Sequence, residues 1–281
     1  MVEAAEKTWN RWRTTAQMAE RATLIDYAIY YLPTVVIFVA VLVGWEIAVR
    51  TLDIKQFILP RPTAIFQAFG EQFSLLVAIG QYTAMEAIGG LIIGCSAGLV
   101  VALTTARWTA AREMLLPFAI AANSVPIIAF APIMNNWFGV TTQLSKMMMV
   151  AIITFFPMMI NMMRGLTHIE PSALELMRSY ATEEWHVLLK VRLPHSLPYL
   201  FGALKVCSTL SLIGAVVGEF FGGPRHSLGV YITQEAAFFR FENSWAAIMI
   251  AAALGIIFYL IIAAIERWAI PWHASVRTPA E

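Results

Sequence analysis

Apolar stretches long enough to cross a bilayer recur along this chain, and no other feature of it constrains the fold as strongly. A helix needs about 20 apolar residues to span the hydrocarbon layer. Such stretches run from about Ala28 to Val49, Tyr82 to Thr105, Glu113 to Asn135, Leu144 to Met163, Leu197 to Phe221 and Ser244 to Trp268. Of the 281 residues, 59% are hydrophobic and 13% charged; soluble domains carry roughly 45–50% and 25%. That excess is more than a soluble core of this size can bury. The expectation is an all-α polytopic membrane bundle of about six spans over residues 28–268, with polar segments at 1–27 and 269–281.

The flanks of these stretches carry membrane signals. Tyr27, Tyr30 and Tyr31 form an aromatic entry to the first span, which ends near Trp45 and Arg50. Leu-Pro-Arg-Pro then breaks the chain before a short amphipathic run, Thr63 to Phe73, too polar to span. Gly89, Gly90, Gly94 and Gly98 let the second span approach a neighbour closely. Pro117, Pro126 and Pro132 interrupt the third, which protein or a wet cavity must then satisfy. Residues 1–26 lack the basic start, apolar run and cleavage site of a secretory signal, so the first span is expected to drive insertion and to remain.

Net charge is +1, which provides no basic field for nucleic acid. The distribution of charge is more informative. Lys7, Arg11, Arg13, Arg21, Arg107, Arg112, Arg164, Arg178, Lys190, Arg192, Arg267 and Arg277 fall on one side of the expected spans. Arg50, Lys55, Arg61, Lys146, Arg225 and Arg240 fall on the other, and Lys205 lies within a span. Positive charge favours the cytoplasm, which places both termini and the loop around residues 164–196 there.

That loop is the one long polar run between apolar blocks. Ser172 and Glu175 have capping-box spacing, so a helix is expected to start at Ser172. A turn is expected near Ala181, with Thr182 capping a second helix whose first turn holds Glu183 and Glu184, and Leu193-Pro194 is expected to stop it. The outcome would be a compact helix–turn–helix knob.

Glu175, Ala181 six residues on, then nine residues, Val191, one residue and Leu193-Pro194 together resemble the cytoplasmic loop by which permease subunits of bacterial ABC importers engage their ATPase. The family pattern is Glu-Ala-Ala, three residues, Gly, nine residues, Ile, one residue, Leu-Pro; here Leu176 and Met177 replace the alanines and Ala181 the glycine. Phe57 to Pro62, Pro126 to Pro132 followed by Trp137-Phe138-Gly139, and Val217 to Gly223 followed by Gly229 resemble the nitrate, sulfonate, taurine and pyrimidine branch of these permeases.

The resemblance implies a type I importer permease fold in a bacterial inner membrane, with Glu175, Arg178, Ala181, Thr182, Val191, Leu193 and Pro194 coupling it to the ATPase. It also implies a second permease copy, a separate ATP-binding subunit holding ATP and Mg, and a periplasmic or lipid-anchored binding protein. The cargo would be a small solute such as a sulfonate or taurine, nitrate, an aromatic acid, or a pyrimidine or vitamin.

Other residues carry weaker signals. Asn123 and Ser124 beside Pro126 are candidates for translocation-path polarity, and helix-packing hydrogen bonds are their commoner use. Glu219, near the end of an apolar helix, either faces a cavity or partner or snorkels at the outer interface. Glu86, Lys205 and Glu46 are read as interfacial. The methionines of the fourth span read as plastic core packing. Cys95 and Cys207 sit in apolar segments, and the five histidines are scattered, so neither a disulfide framework nor a metal site is expected. No phosphate-cradle motif occurs in the chain, so ATP would be bound elsewhere. Two alternatives are an ion- or proton-coupled transporter using Glu219, and a membrane-embedded enzyme, for which no catalytic constellation is present.

Overall fold

A computed structural model describes residues 24–105 and 108–271, excluding the side chains of 24–31 and 109–113. The aromatic entry at Tyr27, Tyr30 and Tyr31, most of the N-terminal segment with its charges, Arg107, Arg112 and the tail from 272 lie outside those descriptions. Among the described residues every regular element is helical. In order these are α1 (Leu24–Thr51), α2 (Pro62–Glu71), α3 (Phe73–Thr105), α4 (Thr109–Asn123), a 3-10 turn (Ile127–Phe130), α5 (Ala131–Phe138) and α6 (Gln143–Thr167). There follow α7 (Pro171–Ser179), α8 (Glu184–Val187), a π turn (Leu188–Arg192), α9 (Leu193–Phe220), α10 (Leu228–Ala237) and α11 (Phe241–Ala269).

Five described helical runs are long and apolar enough to cross a membrane, or six if the bent pair Met114–Asn123 and Ile127–Phe138 counts as one span. The two arms of that pair meet at 86°, so the expected third span is not one straight helix. Pro126 supplies no backbone N–H and holds an extended ψ of 118°, which ends the helical ladder between the arms.

The described residues up to Ala64 and those from Ile65 form two compact units. In the first, Glu46 pairs with Arg50 at 2.7 Å and accepts bonds from the Thr63 backbone and hydroxyl. Glu46 thus joins a helix end to the chain after Leu-Pro-Arg-Pro.

In the second unit α6 is central: 56% of its most apolar stretch is buried, against 6% for α11. It packs on α3 and α9 through Met158, Met159, Met162, Met163, Cys95, Ala203 and Cys207. Each of those methionines is 2% exposed or less, so they fill the core as expected. Close approach comes from glycine: a Cβ at Gly98 would lie 2.6 Å from the Phe155 carbonyl oxygen of α6. Both cysteines are free and buried.

Candidate functional site

The polar loop after α6 folds into the expected knob by different local chemistry. Helix α7 starts at Pro171 with Glu170 as its cap and no side-chain cap bond. Ser172 therefore lies inside the first turn, and the expected capping box does not form. Proline at the first helical position has its φ preset and lacks an N–H that would be unsatisfied there in any case.

The helix ends at Ser179 with a left-handed residue two positions on, Ala181 at φ 50°. Ala181 N–H donates to Arg178 O at 2.9 Å and Thr182 N–H to Met177 O at 3.2 Å. These are the two bonds of a Schellman motif, which ordinarily has glycine at the left-handed position. The glycine-to-alanine departure thus leaves the turn intact. Helix α8 is capped by Glu183, again without a side-chain bond, so Thr182 does not cap it.

Leu193-Pro194 does not stop the second helix either. From Glu184 to Phe220 the chain is one helical run of 37 residues. Leu193 N–H donates to Leu188 O, a five-residue step. The π turn moves the hydrogen-bond register immediately before Pro194, whose ring would otherwise meet a carbonyl of the preceding turn. The second helix of the knob is therefore continuous with membrane helix α9.

The coupling candidates divide between its tip and its root. Glu175, Arg178 and Ala181 are exposed; Thr182, Val191 and Leu193 are half-buried, and Pro194 is exposed on the first turn of α9. No residue of α7 is buried. Leu176 is 55% exposed, Tyr180 72% and Trp185 60%. Three large apolar or aromatic side chains of this segment thus face outward. Beside its root, Leu103, Thr104, Trp108, Trp185 and Leu188 line a recess of about 300 Å³, where Glu184 and Arg192 approach to 4.0 Å.

Of the path candidates, Asn123, Ser124 and Pro126 are exposed at the bend between the two short arms, and Ser124 Oγ donates to Ile120 O at 3.1 Å. Glu219 is not with them. It is 1% exposed and accepts from Thr83 Oγ1 at 2.7 Å and from Gly229 N–H at 2.6 Å. Thr83 in turn accepts from Leu228 N–H at 3.0 Å. Glu219 is thus a buried anchor for the start of α10, and its snorkelling alternative is excluded.

Two charges read as flanking are buried beside it: Glu86 and Lys146 are both 0% exposed. Lys146 donates to Asn135 Oδ1 at 3.1 Å and to the Val140 carbonyl. Asn135 also accepts from Ser145 at 2.6 Å and donates to Phe221 O at 3.1 Å. Lys205, also read as interfacial, pairs with Glu266 of α11 at 2.7 Å. Among the described residues no group of three or more His, Cys, Asp or Glu could hold a metal ion.

A bundle of membrane-length helices from which a polar helix–turn–helix knob projects is the build of a transport permease. Residues 90–271 match the family described as binding-protein-dependent transport system inner membrane component, and the chain belongs to that family. It is 30% identical to the riboflavin transport system permease protein of Chloroflexus aurantiacus, covering 83% of this chain and 87% of that one. Identity to a probable ABC transporter permease of Haemophilus influenzae is 29%, over 78% and 88% of the two chains. A putative aliphatic sulfonates transport permease of Bacillus subtilis is 26% identical over 87% of each. The chain is accordingly a multi-pass inner-membrane transport component.

Proposed function

We propose that this chain is the permease subunit of an ATP-driven importer for a small organic or inorganic solute, working through a separate ATP-binding chain that takes hold of the 164–196 knob. The supporting observation is the Schellman turn at Ala181, which follows the exposed Glu175, Leu176, Arg178 and Tyr180 and leads into the unbroken helical run from Glu184 through α9. A pull on the knob reaches α9 through the turn at Ala181 and the helical run from Glu184. In this reading two permease copies form the path, and both termini face the cytoplasm with the knob. ATP and Mg reside on the partner, and a binding protein delivers cargo to the outer face. Relatives named for riboflavin, formylaminopyrimidine, aliphatic sulfonates and taurine support cargo of that size range. The chain itself carries out no covalent chemistry.

Reconstitution with an ATP-binding chain and a binding protein that support uptake tests the reading. Glu175→Arg and Ala181→Trp are expected to cut solute uptake at least about tenfold, the equivalent of about 1.4 kcal/mol of coupling, while the permease stays folded. Undiminished uptake and stimulated hydrolysis in both variants would refute it.

A further inference from the structure

Glu86 has its carboxylate fully buried, and neither oxygen has a hydrogen-bond donor. It stands within hydrogen-bonding reach of Glu219, which is buried to 1% exposure. Two ionised carboxylates cannot hydrogen-bond each other, since both only accept. Glu219 differs from Glu86 in being served by two donors, Thr83 Oγ1 and Gly229 N–H. The charged groups facing the pair are few. Lys146 of α6 acts electrostatically on both. Tyr82 of α3 senses both carboxylates, and the His226 ring packs on Tyr82 at 5.3 Å. Lys146 carries one positive charge, so two ionised carboxylates would leave a net negative charge sealed away from water. An uncompensated buried charge is among the costliest arrangements in a protein.

We propose that Glu86 and Glu219 form a proton-binding site: one proton sits on Glu86 and is donated to Glu219, whose carboxylate is balanced by Lys146. With that proton one of the two Glu86 oxygens has a partner, while the other still lacks a donor. Glu86 gains a donor role, Glu219 accepts three bonds, and the site is neutral overall. The proton then fastens α3 to α9, and through Gly229 it also fastens the start of α10. Lys146 and Asn135 tie α6 and α5 to the same site.

Infrared difference spectroscopy of the purified chain tests this directly. The wild type at neutral pH is expected to show the carbonyl stretch of a protonated carboxyl, shifted in heavy water, and Glu86→Gln is expected to remove it. The amide that this substitution introduces can still donate to Glu219, so the variant should melt close to the wild type. Glu219→Gln sets an amide against the Thr83 and Gly229 donors and should melt markedly lower. No protonated-carboxyl band in the wild type would overturn the proposal without recourse to any variant. So would a band that survives Glu86→Gln, or a Glu86→Gln melting loss equal to that of Glu219→Gln.

Discussion

At Ala181 the backbone adopts φ 50°, a conformation that costs an alanine about 1 kcal/mol relative to glycine. Ala181→Gly is therefore expected to raise the melting temperature of the purified protein and to leave uptake intact; a lower melting temperature would mean that the turn is not left-handed. Lys205 and Glu266 make the opposite case. Removing one partner of a largely buried pair strands the other's charge, at a cost of about 3 kcal/mol. Lys205→Met should thus lower the melting temperature clearly, and the double replacement Lys205→Met with Glu266→Met should recover most of the loss. Such pairs were not legible in the sequence. Glu86, Lys146 and Lys205 stand near the ends of apolar runs, and position along a run does not say toward which neighbour a helix turns a side chain. Glu86 looked interfacial because the run seemed to begin at Tyr82, whereas α3 begins at Phe73.

Elements were read better than their boundaries. Apolar length located the membrane helices because the bilayer sets that length, and the glycines of α3 signalled its close contact with α6. A Gly98→Val change should therefore cost about 1–3 kcal/mol through overpacking, visible as a lower melting temperature. Cap chemistry misled at three places. Proline at position 171 took the first helical position ahead of Ser172, Glu183 displaced Thr182 as a cap, and a π turn carried the helix across Leu193-Pro194. That last difference has a mechanical consequence, since a continuous helix transmits displacement and a stopped one does not. Replacing the exposed Leu189 and Lys190 by glycine weakens the helix by about 1 kcal/mol per residue. Uptake by this variant is expected to fall while the ATP-binding chain still co-purifies; unchanged uptake would mean that the run from Glu184 to Phe220 does not act as a rod.

For the molecule as a whole, the sequence conveyed class and family more fully than the site. Composition required a membrane, and the spacing from Glu175 to Pro194 indicated the knob, whose exposed Leu176, Tyr180 and Trp185 only the folded chain reveals. The path candidates were harder to place. Asn123, Ser124 and Pro126 lie at the 86° bend, and Glu219 is sealed within the bundle, because a polar residue in an apolar run can either line a path or anchor a neighbour.

On the proposed function a separate ATP-binding chain grips the knob. The direct measurement is cross-linking in membranes, with both native cysteines replaced and a single cysteine placed by Glu175→Cys. That cysteine is expected to couple in high yield to the ATP-binding chain, with the yield changing when nucleotide is added. Cross-linking no stronger than from a cysteine at the exposed Phe238, by Phe238→Cys, would rule that grip out.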